Sequence, residues 1–216
     1  MVSRETLPAW LQPAFAGLTQ FEQILASDGV TRGLIGPREV DRLWERHLLN
    51  CAVVADPELG LVSPESLVAD VGSGAGLPGL VWALVRPDIH VVLVEPLLRR
   101  ATFLTEAVHG LGLTDRVDVT RARGEDLARD RRWKPVTVVT ARAVAPLDRL
   151  IGWTVPLLAP GGRLVALKGA SAEAELRAAA PVVLTAGLTD LSVVMCGAGL
   201  VDPPTTVITG VRRTAQ

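Results

Sequence analysis

A cluster of glycines between residues 70 and 79 is the feature of this sequence best suited to chemistry. Residues 67–71 read as a buried strand, and residues 72–79 contain four glycines and Pro78. Gly72 and Gly74 can adopt backbone conformations that are closed to other residues, so the main chain can approach a ligand closely. Pro78 suits the first turn of a helix. A strand, a glycine loop and a helix in this order predict a loop that binds a nucleotide-like cofactor.

The spacing of the glycines separates two kinds of cofactor. The dinucleotide fingerprint G-x-G-x-x-G requires a glycine where this chain has Leu77. Asp70 lies two positions before Gly72, and acid-x-G-x-G-x-G at a strand end resembles the first motif of Rossmann-like methyltransferases. We therefore predict S-adenosyl-L-methionine as the cofactor, with Asp70, Gly72 and Gly74 among the residues that bind it.

A second acid is spaced to bind a ribose. Glu95 follows the β-branched run at 89–94 and lies 23 positions beyond Gly72, close to the roughly 20 residues expected of a ribose-binding acid. Its carboxylate can accept hydrogen bonds from both ribose hydroxyls. The alternative is a solvated glutamate at a strand end.

The elements that must position these residues alternate between strand and helix. Residues 191–196 and 205–211 have no helix between them and predict an antiparallel pair. The pattern predicts an α/β fold: a Rossmann-like, seven-stranded, mostly parallel sheet with an antiparallel last strand and helices on both faces. The other predicted strands are 67–71, 89–94, 117–120, 135–140 and 162–167, and the predicted helices are about 78–85, 97–111, 124–128 (one turn), 147–158 and 172–179.

Apolar residues in the first 66 positions recur at helical spacing, with a second helix predicted from Pro37. We predict a helical extension at 1–66 and a methyltransferase domain at 67–216. The sequence shows no signal peptide and no apolar run long enough to span a membrane. Its two cysteines lack metal-ligand spacing. These features predict a cytoplasmic protein, without metal or membrane partner, that acts as a monomer.

Charge is unevenly distributed along the chain. Residues 1–70 hold 5 basic and 10 acidic side chains, whereas residues 96–142 hold 10 basic and 6 acidic ones. The second segment could contact a phosphate backbone. A charged, solvated surface is an equally good interpretation.

The acceptor should meet the cofactor where the strand order reverses, between the first and fourth strands. Arg142 follows the fourth strand and Lys168 ends the fifth. The residues after the fourth strand lack the Asn/Asp-Pro-Pro-aromatic motif that is usual in methyltransferases acting on exocyclic amines. Guanine N7 fits best, because its free lone pair needs alignment and electrostatic stabilisation rather than a base. Arg142 or Lys168 could hold O6, a phosphate or the cofactor carboxylate, or could cap strands at the surface.

After the third predicted strand, Gly124 and Glu125 precede a helical turn. Their backbone could read the adenine edge. Glu125 could instead favour the helix start through the helix dipole.

Taken together, several motifs resemble the RsmG family of bacterial small-subunit ribosomal RNA methyltransferases, also called glucose-inhibited division protein B. The resemblance implies methylation of N7 of one guanine, guanine 527, in the decoding-region loop of 16S rRNA. It implies 16S rRNA or the small ribosomal subunit, or its precursor, as partner. The motifs are Asp70 to Gly79, Arg86-Pro87, Arg123-Gly124-Glu125, Arg142-Ala143, Leu167-Lys168-Gly169 and Glu45-Arg46-His47-Leu48-Leu49-Asn50.

The same resemblance assigns roles to individual residues. It implies cofactor contacts for Gly72, Leu77, Gly124, Glu125 and Arg142. It also implies that Arg46, His47 and Lys168 lie near the substrate, and we take Arg142, Lys168 and His47 as the candidate catalytic residues.

The chain departs from the family pattern R-H-x-x-D-S, because Asn50 and Cys51 stand at its last two positions. Two alternative functions remain open at this point. One is a methyltransferase for a small molecule, and the other is a non-catalytic RNA-binding or assembly protein.

Overall fold

Seven strands form one sheet in this computed structural model, which describes residues 2–214. The strands are β1 (Leu67–Val71), β2 (His90–Val94), β3 (Val117–Thr120), β4 (Val136–Arg142), β5 (Leu158–Lys168), β6 (Leu188–Cys196) and β7 (Thr205–Arg212). Their order is β3-β2-β1-β4-β5-β7-β6. All pairs from β3 to β5 are parallel, and β7 is antiparallel to both β5 and β6. The predicted fold class is confirmed.

Helices cover both faces of the sheet. Consecutive strand residues point to opposite faces, and Val68 and Ala69 accordingly belong to two different groups of buried apolar side chains. The group with Val68 packs against the N-terminal segment, α3 and α4, and the group with Ala69 packs against α6 and α7. The helices are α1 (Phe15–Ile24), α2 (Leu49–Ala52), α3 (Gly79–Val85), α4 (Leu98–Gly110), α5 (Gly124–Leu127), α6 (Leu147–Thr154) and α7 (Ala172–Ala186).

The segment before β1 packs directly on the sheet domain. Trp82 of α3 is fully buried, and its indole Nε1 donates to the carbonyl oxygen of Cys51 at 2.9 Å. Gly17 of α1 lies against Leu84, where an added Cβ would come within 2.7 Å of the leucine side chain. The first helices therefore share one apolar core with α3. The division of the chain between residues 66 and 67 stays a prediction.

The predicted regular helix from Pro37 is wrong in its detail. The chain forms a 3₁₀ segment at Pro37–Arg42, a π-helical segment at Leu43–Leu48 and then α2. A π-turn places residues five apart on one face. It thereby buries both Leu43 and Leu48 completely. Both leucines belong to the apolar core that the N-terminal segment shares with α3.

Two predicted boundaries also require correction. Helix α7 ends at Ala186 rather than near 179, because Pro181 removes only one backbone donor while Gly187, in the left-handed conformation with φ +71°, provides the stop. Strand β5 begins at Leu158 rather than 162, because Leu158 pairs with Val136 ahead of a register shift. Across residues 2–214, no helix is long and apolar enough to cross a bilayer.

Candidate active site

The glycine loop connects the carboxyl end of β1 to α3. Gly72, Gly74 and Gly76 have φ values of +74°, +57° and +90°, which side chains disfavour. The amide N–H of Gly72 donates to the carbonyl oxygen of Val94 at 2.8 Å, so the loop is anchored to β2. No atom lies closer than 3.7 Å to a Cβ built on Gly74. The predicted loop therefore exposes its backbone at Gly74.

Asp70 lies beneath this loop and is 0% exposed. Its Oδ2 accepts the amide N–H of Gly79 at 3.0 Å, at the start of α3. Its Oδ1 is buried without a hydrogen-bond partner. Burial raises the pKa of Asp70 to about 7, and the bond from Gly79 opposes that shift. The structure thus places this carboxyl where it supports the loop.

Glu95 follows β2 and is 2% exposed. Its Oε2 accepts the amide N–H of Gly74 and its Oε1 accepts that of Leu97, both at 3.0 Å. Each carboxylate oxygen has two lone pairs, so each retains one acceptor site. Glu95 therefore links the glycine loop to the segment that leads into α4.

Gly124 begins α5 and is buried. A Cβ there would lie 3.0 Å from the carbonyl oxygen of Trp153 and 3.1 Å from Val71 Cγ1, so close packing explains this glycine. Glu125 is half-buried, and its Oε1 lies 3.9 Å from a guanidinium nitrogen of Arg123. Gly124 therefore lies against Val71 at the end of β1, and the adenine contact of both residues stays a prediction.

Arg142 ends β4 and reaches into the N-terminal segment. Its Nη2 donates to Nδ1 of His47 at 2.7 Å and to the carbonyl oxygen of Arg46 at 3.3 Å. Its Nη1 contacts the sulfur of Cys51 at 3.0 Å. On the other side of the imidazole, Nε2 of His47 lies 3.1 Å from Oε2 of Glu39. Burial raises the pKa of the Cys51 thiol, which favours the neutral form beside the guanidinium.

Lys168, at the end of β5, has different partners. Its Nζ donates to Oε2 of Glu175 at 2.7 Å and to the carbonyl oxygen of Ala145 at 2.8 Å, and the side chain is 9% exposed. Glu175 also accepts the amide N–H of Leu147 at 3.1 Å. Although burial opposes the shift, hydrogen bonds from Lys168 and Ser171 lower the pKa of Glu175. Lys168 is held in an ion pair that fixes the loop between β4 and α6.

A cleft of about 1280 Å³, the Arg142 cleft, opens at the carboxyl ends of β4 and β5. Its walls come from the N-terminal segment, the loop at 143–146, the start of α7 and the β6–β7 turn. Its lining contains four cationic side chains (Arg42, Arg46, Arg142 and Lys168) and four acidic ones (Glu45, Glu173, Glu175 and Asp202).

The predicted site residues therefore form two groups. His47 and the residues of the glycine loop and of the ends of β2 and β3 lie outside the lining of the cleft, and the predicted cations Arg142 and Lys168 lie within it. Val144 joins the two groups, because it lines the cleft and a Cβ on Gly72 would come within 2.8 Å of its Cγ2.

Sequence reasoning missed Glu39, Glu175 and the contact between Cys51 and Arg142. Each of these residues meets its partner only in the folded protein, and no local sequence pattern links the two. The departure at Asn50 has a structural role, since its Oδ1 accepts the hydroxyl of Thr205 in β7 at 2.7 Å.

A sheet of this order, with β7 antiparallel and a glycine loop after β1, is the fold of Rossmann-like S-adenosylmethionine-dependent methyltransferases. A solved O-methyltransferase from Thermotoga maritima, itself described as dependent on that cofactor, has the same fold: the TM-score is 0.58, with 15% identity over 82% of this chain and 71% of that one. Residues 15–203 match the family described as rRNA small subunit methyltransferase G. The chain belongs to that family.

Relatives that carry this family name align over most of their length. The Salinispora tropica protein is 57% identical over 201 residues, covering 92% of this chain and 79% of the relative. The Mycolicibacterium gilvum protein is 50% identical over 203 residues, covering 94% and 87% respectively. This family membership confirms three predictions: the family, the methyltransferase activity and S-adenosylmethionine as the cofactor.

Proposed function

We propose that this chain transfers the methyl group of S-adenosylmethionine to N7 of one guanine, guanine 527, in 16S rRNA. The observation that carries the proposal is the Arg142 cleft, in which Arg142 contacts only an imidazole, a thiol and a carbonyl among the described residues. Val144 of the same cleft packs on Gly72 of the glycine loop. Ligand sites for small molecules typically occupy about 300–1,000 Å³, so a cleft of about 1280 Å³ has room for a nucleotide turned out of its strand.

The glycine loop and its neighbours fit this cofactor. Asp70 Oδ1 is an unused buried acceptor, Glu95 keeps one lone pair on each oxygen, and the surface above Gly74 is open. We assign Glu95 to the ribose and the backbone of Gly124 and Glu125 to the adenine. The loop residues Gly72, Gly74 and Leu77 hold the remainder, and Asp70 acts by fixing the loop.

The bound cofactor supplies an electrophilic methyl group. The residues of the cleft then need only bind and orient the guanine, because N7 carries a lone pair and no proton at neutral pH. Arg142 is suited to hold O6 or a phosphate oxygen, since a guanidinium matches such acceptors. Glu175 is a poor base, because hydrogen bonds from Lys168 and Ser171 lower its pKa and therefore its affinity for a proton. Catalysis here is positioning and electrostatic stabilisation.

The proposal is tested by single-turnover transfer of labelled methyl groups. The substrates are 16S rRNA, precursor particles and mature small subunits from a strain that lacks this activity. Borohydride and aniline cleave RNA at N7-methylguanosine, so the product should be cut at one position. The matched control is rRNA with that guanine replaced by adenine. A labelled product that resists cleavage would contradict N7, and the absence of transfer to any of the three substrates would refute the function.

We further propose that the working form is a cytoplasmic monomer that needs no metal ion. Light scattering gives the mass of the active species, and activity in excess chelator tests the metal. A dimer that loses activity on dilution would overturn the monomer. Inhibition by chelator, when a methyltransferase known to need no Mg²⁺ stays active in the same buffer, would overturn the absence of a metal.

A further inference from the structure

Three residues from three different elements form a hydrogen-bonded chain at the Arg142 cleft. Glu39 lies in the 3₁₀ segment, His47 in the π-helical segment and Arg142 at the end of β4. A guanidinium has only donors, so Nδ1 of His47 must accept the bond from Arg142, 2.7 Å away. Nε2 then carries the proton and donates to Glu39 at 3.1 Å. One neutral tautomer satisfies both contacts.

We propose that Glu39 and His47 are positioning residues that set the orientation of Arg142 in the cleft, and that protonation of His47 releases it. The other contacts of Arg142 orient its guanidinium less strongly. They are the sulfur of Cys51, which is a poor acceptor, and the carbonyl oxygen of Arg46 at 3.3 Å. None of these contacts is an anion. The charge of Arg142 stays available to a nucleotide, and its direction depends on the imidazole.

The charges around His47 determine the pH range in which the hydrogen bonds between Glu39, His47 and Arg142 are formed. Arg142 faces Nδ1, Glu39 faces Nε2, and Arg46 is the preceding residue. Burial and the Arg142 guanidinium lower the pKa of His47, whereas Glu39 opposes this shift. At neutral pH the imidazole is therefore uncharged. On acidification Nδ1 of His47 would take up a proton. It could then no longer accept the hydrogen bond from Arg142, and the charged imidazole would face the positive guanidinium.

This inference rests on the proposed function, and it predicts an acid limb in the methyl-transfer rate. The rate should be constant above the His47 transition and fall below it. Glu39→Gln keeps an acceptor for Nε2 but removes the anion that raises the pKa of His47. We expect its acid limb to move to lower pH by about 1 unit.

Two further variants separate positioning from folding. His47→Asn offers one carbonyl oxygen to Arg142 and cannot titrate, so a reduced rate without an acid limb is expected. Asp41→Asn removes an exposed charge two positions from Glu39 and should leave the limb unmoved. If Glu39→Gln leaves the limb in place, or if His47→Asn retains it, the inference is wrong.

A readout independent of methyl transfer completes the test. The ¹⁵N spectrum of the three histidines, with His47 assigned from the His47→Asn protein, should show a neutral imidazole with its proton on Nε2. Its titration midpoint should match the acid limb and shift with Glu39→Gln. A proton on Nδ1 would overturn the proposal. Inactivity of the parent protein on every RNA substrate, with these spectra as expected, would instead count against the proposed function.

Discussion

The buried carboxyl of Asp70 should make the stability of this protein fall as pH rises toward neutrality. Its folded-state pKa is about 7, against an ordinary value of 3.8, mainly because of burial. A raised carboxyl pKa means that the folded state holds the proton more tightly than the unfolded state. The associated stability is complete below the ordinary pKa and is lost as pH rises to the folded pKa.

The size of the effect follows from the two pKa values. They differ by about 3 units, and each unit corresponds to about 1.36 kcal/mol, so the full loss is on the order of 4 kcal/mol. Between pH 5 and pH 7 the loss is about 2 kcal/mol. A small further loss occurs between pH 7 and pH 8, and the contribution is constant at higher pH. This loss is a large part of the roughly 5–15 kcal/mol by which domains are stable.

Urea unfolding at pH 5, 6, 7 and 8 measures the effect when the parent protein is compared with Asp70→Asn. Other groups titrate equally in both proteins, so the difference between their unfolding free energies isolates Asp70. We expect the parent to lose about 2–3 kcal/mol relative to the variant from pH 5 to pH 8. A difference that does not change with pH would refute the reasoning, whichever protein is the more stable.

Two other predictions concern ligands. Glu95→Ala removes a charged acceptor, worth about 1.5–3 kcal/mol, so calorimetry should show a roughly ten- to hundredfold weaker affinity for S-adenosylmethionine; unchanged affinity in a folded variant would exclude Glu95 from the ribose. Reversal of Arg99 and Arg100 to Glu should weaken RNA binding and flatten its salt dependence by nearly one unit of slope for each phosphate that the variant no longer neutralises. Arg177→Glu on α7 serves as the matched control, and an unaltered slope in the double variant would place the RNA elsewhere.

Much of the fold could be predicted because its elements are determined by local sequence. The runs at 67–71 and 117–120 coincide with β1 and β3, since both are short, valine-containing runs that lie between turn-forming or charged residues. The π-helical segment at Leu43–Leu48 could not be predicted, because only the tertiary packing of its two leucines distinguishes it from a regular helix.

The candidate site divides in the same way. The glycine loop is contiguous in sequence, so its residue types and spacing show it directly. The contact between His47 and Arg142 joins positions 95 apart, and no local pattern records such a pair. Nothing in the sequence indicated Glu39. Its side chain meets that of His47, eight positions on, because a 3₁₀ segment and a π-helical segment lie between them.

The two cations that the sequence treats alike have different roles once their partners are known. Lys168 is paired with a carboxylate and donates to Ala145, so its charge is neutralised and fixes the loop that carries Val144 against Gly72. Arg142 contacts an imidazole, a thiol and a carbonyl, which orient its charge without neutralising it. Only an oriented, unneutralised cation can stabilise an incoming phosphate or guanine oxygen strongly. The geometry therefore favours Arg142 for contact with the acceptor and Lys168 for the shape of the cleft.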